Sequence, residues 1–321
     1  MITWNKLQRM VAHSSGNMRG NVFRKDIVLL VLVFSLPLAG RAQSAGGNPY
    51  AIGPDPTASS LEASSGPFGY TSTTIPSSEA TGYGGGTVYY PTNVNIATGG
   101  IVVVPGYGAT QSNISWWGPR LASNGFVVYT IDTTNLYDLP AQRAKEIMAA
   151  VAQLKTFSTT TGNEIYGKVD TNRIGIMGGS FGGGGTLIAE TTHPQLKAAI
   201  PFVPKIASGN PDLSKITIPT LIIGCQEDQV APPKSYAIPY YSAIPEQNHK
   251  AYLEISNGQH LCASTQGSDQ NKPIIGKYGV AWMKRFVDND SRYNPYLCGS
   301  PHQNDVSNST VISGYKDTCP Y

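Results

Sequence analysis

Gly178-Gly179-Ser180-Phe181-Gly182 is the stretch of this sequence best suited to chemistry, because it sets one hydroxyl among residues with almost no side chain. An apolar run, Ile174 to Met177, precedes it, and Leu187 and Ile188 follow it, so the segment reads as strand, sharp turn and helix rather than as a linker. A phosphate-cradling loop is the other use of such glycines. The G-x-G-x-x-G spacing is absent from this window, however, and so is a Gly-Lys-Ser/Thr. What fits is G-x-S-x-G, the nucleophile elbow, in which the serine takes a strained backbone and the residues two before and two after must be tiny. Gly183 to Gly185 continue into the helix start, where each costs about 1 kcal/mol relative to alanine. Close packing of the helix on the sheet is expected in return.

A serine hydroxyl is a poor nucleophile until a base takes its proton, so the elbow requires a histidine and a buried acid, in the order serine, acid, histidine. The sequence holds five histidines. His13 lies in the N-terminal leader, His193 precedes any suitable acid, His249 stands at the wrong end of a strand, and His302 sits in the tail. His260 follows the C-terminal end of the last expected strand, where ligands gather in parallel sheets. For the acid, "PTLIIGCQEDQVAP" offers Glu227 and Asp228 just past a strand, with Asp228 favoured. An acyl-transfer intermediate also needs two preset backbone N–H donors. Phe181, directly after the nucleophile, supplies one, and Tyr107 in "VVVPGYGATQS" is the candidate for the other.

The four cysteines, Cys225, Cys262, Cys298 and Cys319, all lie in the last third of the chain and allow three pairings. Cys225 is three residues before Asp228 and Cys262 two after His260, so a bridge between them would tie the acid loop to the base loop. Cys298 with Cys319 would then pin the C-terminal tail. No C-x-x-C or H-x-x-x-H spacing exists, which argues against zinc, and no cofactor is implied.

The elements that must position these residues are visible as short β-branched runs at 86–91, 99–107, 125–133, 173–180, 197–204, 219–225 and 251–256. Between them, 138–157 carries a helical stripe of Ala144, Ile147, Met148, Val151 and Leu154, with Pro140 suited to a first turn. Segments 115–125 and 275–290 are also helical. Alternating strands and helices predict an α/β fold, a mainly parallel central sheet with helices on both faces and no large lid. Residues 1–42 read as a secretory signal, Arg24 and Lys25 before the apolar run Ile27–Gly40, with Met18 as an alternative start and an uncleaved anchor as the competing reading. Residues 43–64, rich in Ser, Gly and Pro, read as an extended lead-in, and 65–321 as one catalytic domain.

Charge excludes two partner classes. Residues 1–42 carry six basic groups and one acid, a net of +5, so the whole chain's +3 becomes −2 for a chain beginning near Gln43. A mildly acidic body without a basic run has no footprint for nucleic acid or for an anionic membrane. A secreted monomer is expected, one that meets no membrane once the signal is removed.

"GPDPTASSLEASSGPF", "GGGTVYYP", "VVPGY", "WWGPRLASNGFVVYTIDT", "GGSFGGGGTL", "PTLIIGCQEDQVAP" and "IGKYGVAWMKRFVDNDSRY" together resemble the bacterial polyester hydrolases, the cutinase-like and poly(ethylene terephthalate) hydrolase group, from about residue 50 to the C-terminus. The resemblance implies an α/β-hydrolase fold and ester hydrolysis through an acyl-enzyme. It implies roles for Ser180, Asp228 and His260 as triad and for Tyr107 and Phe181 as oxyanion donors, with Gly179, Lys205, Val230 and Leu261 expected to line the substrate cleft. Three departures bear on substrate. Gly179 stands where the family usually has tryptophan or histidine, Phe181 where it has methionine, and Lys205 where an aromatic clamp is common. The rival expectations are a lipase or triacylglycerol esterase of the same fold and a non-catalytic binding relative.

Overall fold

The computed structural model describes residues 47–321. The expected signal, residues 1–42, lies outside them. Nine strands form one sheet: β1 (Tyr70–Ile75), β2 (Gly86–Pro91), β3 (Thr98–Val104), β4 (Val127–Ile131), β5 (Val169–Gly179), β6 (Ala198–Phe202), β7 (Thr220–Cys225), β8 (Lys250–Ile255) and β9 (Ile312–Asp317). Their order is β1-β2-β4-β3-β5-β6-β7-β8-β9. The strands from β4 through β8 run parallel, while β1, β2 and β9 complete the edges by antiparallel pairing.

Successive side chains on a strand point to opposite faces, and the core divides accordingly. Ile101, Val103, Met177 and Ile200 join one apolar cluster, with Trp117 and Leu121 of α2 (Trp117–Ala122) and Tyr278 and Trp282 of α6 (Lys272–Phe286). Val102, Val104, Ile176 and Ala199 join the other. There they meet Ile147, Val151 and Leu154 of α3 (Pro140–Thr159), Leu187 of α4 (Phe181–Glu190) and Tyr241 of α5 (Ala237–Ala243). A mainly parallel sheet with helices on both faces is the α/β-hydrolase arrangement expected from the sequence.

Two features differ from the expectation. The lead-in is not wholly extended, because Ala58–Glu62 forms a short helix, α1. Thr57 caps it, its hydroxyl accepting from Ser60 N at 3.1 Å. Leu61 is buried in the core, and Glu62 pairs with the buried Lys277 at 2.9 Å, so the segment is built into the body of the molecule. The edge strands β1 and β9 and the helices α5 and α7 (Ser300–Asn308) also have no counterpart in the sequence reading.

Both cystines follow the expected pairing, Cys225–Cys262 and Cys298–Cys319. Beside the second, the tail is fixed by the Tyr321 hydroxyl donating to Lys250 O at 2.8 Å. Among the described residues no helix is long and apolar enough to cross a membrane.

Candidate active site

The order β4-β3-β5 makes a topological switch point, since the chain leaves β3 to one side for β4 and returns to its other side for β5. Clefts form outside the carboxyl ends of strands at such points. Two of the segments singled out by the sequence emerge there, Pro105-Gly106-Tyr107 from β3 and Ser180 from β5.

Ser180 has φ 55° and ψ −117°, a strained conformation for a residue with a Cβ. The turn is tight on both sides. A Cβ on Gly178 would come within 2.4 Å of Gly182 O, and one on Gly182 within 2.5 Å of Pro105 O. Farther into α4, a Cβ on Gly184 would lie 2.4 Å from Lys205 O, and one on Gly185 2.9 Å from the Arg143 Cβ. The glycines that weaken α4 as a helix therefore let it press on loop and helix neighbours and also on the sheet, where a Cβ on Gly183 would lie 3.0 Å from Gly178 O of β5 and Phe202 O of β6, the helix-on-sheet packing expected in return.

The Ser180 hydroxyl donates to His260 Nε2 at 2.9 Å, and His260 Nδ1–H donates to Asp228 Oδ2 at 2.7 Å. Asp228 Oδ1 accepts from the backbone N–H of Val230 at 2.8 Å and of Ala231 at 2.7 Å. Burial would raise this carboxyl. The bond from His260, the two amides and the imidazole's charge outweigh it, and together they hold the pKa below the usual carboxylate value. Glu227, the alternative acid, is exposed and has only its backbone engaged, N–H to Gly258 O at 2.8 Å.

The loops carrying Asp228 and His260 are knitted together by that bond, by Asn257 N–H to the Gln226 side chain at 3.0 Å, and by the Cys225–Cys262 bridge. The base loop is anchored a second time. The indole N–H groups of Trp116 and Trp117 both donate to Ala263 O, at 2.9 and 3.2 Å. Sequence reading assigned these tryptophans no task. The signal was available in two adjacent indoles opening a helix, whose N–H groups need acceptors when they are withdrawn from water.

Gly106 lies against Ser180, for a Cβ there would stand 2.9 Å from the Ser180 Cβ. Tyr107 follows directly, and Phe181 is the first residue of α4, whose leading N–H groups have no acceptor within the helix. Both amides thus belong to segments bordering Ser180. The Tyr107 ring packs on Phe181, centroids 5.2 Å apart, and on Tyr137, also 5.2 Å away. Tyr137, which the sequence reading did not single out, is 61% exposed.

The cleft positions divide. Val230 and Leu261, beside the acid and the base, are half exposed. Gly179 is buried, and a Cβ there would meet the Phe202 ring at 2.4 Å. Phe202 therefore fills the space in which a side chain at 179 would begin. Lys205 is tied down at both ends: its N–H donates to Ser180 O at 3.0 Å and its ammonium to Val230 O at 2.8 Å.

Residues 44–320 match the family described as PET hydrolase-like. A bis(hydroxyethyl) terephthalate hydrolase of Streptomyces coelicolor is 42% identical over 92% of this chain and 89% of its own. A cutinase of Thermobifida fusca is 43% identical over 90% and 91%, and one of Thermobifida alba 44% over 88% and 90%. The family match spans nearly all of the described residues and the relatives cover about nine-tenths of the chain, and on that footing the chain is an ester hydrolase that belongs to the PET hydrolase-like family.

Proposed function

We propose that the protein is a secreted serine hydrolase of carboxylic esters that acts on polyesters and on short acyl esters through an acyl-enzyme. The observation that carries the reading is the unbroken chain of hydrogen bonds Ser180 to His260 to Asp228, at 2.9 and 2.7 Å. Ser180 Oγ attacks the ester carbonyl carbon while His260 Nε2 takes its proton. The carbon–oxygen bond to the alcohol then breaks, and the alcohol leaves with that proton. Water, deprotonated by His260, attacks the acyl-enzyme, and the acid departs as Ser180 recovers its hydrogen. Asp228 orients the imidazole and stabilises its cation, and the amides of Tyr107 and Phe181 receive the oxyanion.

The substrate class is supported by the relatives, one named for a terephthalate ester and others as cutinases. It is supported also by the exposed rings of Tyr107 and Tyr137 beside the serine. Export is supported by two disulfides, which persist in oxidising surroundings. Hydrolysis of p-nitrophenyl butyrate by wild type and by Ser180→Ala tests the mechanism. The variant is expected to be inactive, and equal rates would end the proposal. Soluble products released from aliphatic and aromatic polyester films test the substrate class.

A further inference from the structure

Arg143 is fully buried in the first turn of α3, and the catalytic scheme makes no use of it. Its guanidinium spends its bonds on the two loops beside the serine. Nη1 donates to Pro105 O at 3.0 Å, Nη2 to Leu136 O at 2.8 Å and Nε to Asp138 O at 2.9 Å. Leu136 O accepts a second bond, from Gly108 N–H at 2.7 Å. Tyr107 is thereby bracketed: the carbonyl two residues before it and the amide directly after it both lead to this one group. The β4–α3 loop is held again one turn along α3, where Glu146 accepts from the N–H and hydroxyl of Thr134 at 2.8 and 2.6 Å. Arg143 also lies against the nucleophile's helix, at Gly185.

We infer that Arg143 is a positioning residue for ester hydrolysis, which presets the Tyr107 amide toward the oxyanion and holds the Tyr107 and Tyr137 rings side by side. The inference rests on the roles given above to Ser180 and Tyr107. A planar fork of donors reaches three carbonyls in three directions, and a lysine ammonium at the end of a flexible stem does not reproduce that geometry. A displacement of about 1 Å in a reacting group costs on the order of 100-fold in rate, so loosening this loop acts on turnover rather than on binding.

The test compares wild type with Arg143→Lys and Arg143→Met. Rates on p-nitrophenyl acetate are expressed per site labelled by a fluorophosphonate, so that any misfolded fraction drops out. Binding of an alkylboronic acid, which becomes a tetrahedral anion on the serine, is measured alongside. The expected result is kcat per labelled site lower by about 10- to 100-fold, KM within about threefold, and boronate affinity weakened in parallel with kcat. Arg143→Lys is the milder substitution and serves if Arg143→Met does not fold. A rate per labelled site within twofold of wild type, or unchanged boronate affinity, would reduce Arg143 to a support of the fold. Activity surviving in Ser180→Ala would overturn the whole site, whereas an inactive Ser180→Ala beside a fully active Arg143→Lys would overturn this inference alone.

Discussion

Two buried carboxyl groups stand at opposite ends of β7, and solvent exposure alone does not tell them apart. Asp228 lies three residues past the strand's last residue, Cys225, while Glu190, at the end of α4, reaches the strand's first residue, Thr220. Neither side chain meets solvent to any extent. Asp228 accepts three N–H bonds, from His260, Val230 and Ala231. Glu190 accepts one, from the Thr220 hydroxyl, and its Oε1 has no partner among the described residues. Burial raises both pKa values and is the largest influence on each. For Asp228 the donors outweigh it and the pKa falls below its usual value, whereas Glu190 is pushed up to about 8. Glu190 is enclosed on every side and short of donors, whereas Asp228 borders the cleft and has three, and the two differences act together to keep one carboxylate charged and the other protonated.

The hardest blow to this contrast is struck at Asp228. Asp228→Asn keeps the shape and removes the charge, and kcat on a soluble p-nitrophenyl ester should fall about 10⁴-fold. Glu190→Gln should change kcat less than about twofold, since nothing near Ser180 depends on it. If Asp228→Asn kept a tenth of the activity, the donor-rich carboxylate would be structural and the comparison would lose its functional half. Because the folded pKa of Asp228 is depressed, its contribution to stability is present above the unfolded value of about 3.9 and is lost as pH falls through the folded pKa.

The Cys225–Cys262 bridge ties the loop of one Asp228 donor, His260, to the loop of Asp228 itself, and neither disulfide reaches Glu190. Replacing both cysteines by serine, across a sequence separation of 37, should cost about 3–4 kcal/mol of stability in a chain-entropy account. Removing Cys298–Cys319, with a separation of 21, should cost roughly 3 kcal/mol. Denaturant unfolding measures both. The sharper readout is kcat below the unfolding range, which should fall for the first pair as the acid and base loops drift and stay within about twofold for the second. Equal activity in both variants would show that hydrogen bonds alone preset the acid.

Glu190 supplies the next effect and a sign. With its folded pKa raised to about 8, the native state retains a proton that the unfolded chain releases. Its influence on stability is therefore most favourable at acid pH and is lost as pH rises through the folded value. Glu190→Gln cannot titrate, so the difference in unfolding free energy between pH 5 and pH 8 should shrink in the variant. The expected change is on the order of 3 kcal/mol, because the native state alone keeps this proton over most of that pH range at about 1.4 kcal/mol per unit. No change in the pH slope would mean that Glu190 has found a donor and that the two ends of β7 are alike.

The same contrast explains what could be read from the sequence. Chemistry draws on scarce residues, so five histidines and one serine turn led to Ser180, Asp228 and His260 without any knowledge of packing. The inner strands announced themselves as β-branched runs because both of their faces are buried. β1, Tyr70-Thr-Ser-Thr-Thr-Ile75, is an edge strand mostly facing solvent, and β9 carries Gly314, Lys316 and Asp317, so neither has an apolar pattern to detect. Phe202 over Gly179, the two tryptophans under the His260 loop and Arg143 under Tyr107 were invisible for another reason. Each acts on a segment dozens of residues away or across a loop, and no local period encodes such a partner.

Lys205 is where the smallest effect is expected, and it separates the donors that matter to Asp228 from one that does not. Its ammonium bonds to Val230 O, on the residue whose N–H donates to Asp228, so removing the lysine takes away an acceptor's partner and leaves both backbone amides in place. Lys205→Trp puts a ring where Nζ now crosses to the acid loop. An added aromatic contact is worth about 0.5–1.5 kcal/mol beyond burial, or roughly 2- to 10-fold in affinity. Product release from an aromatic polyester film should rise within that range, with a smaller change on an aliphatic film of similar crystallinity. A matching loss on both films would mean that the lysine strap, and not the amides alone, holds the Asp228 loop in register.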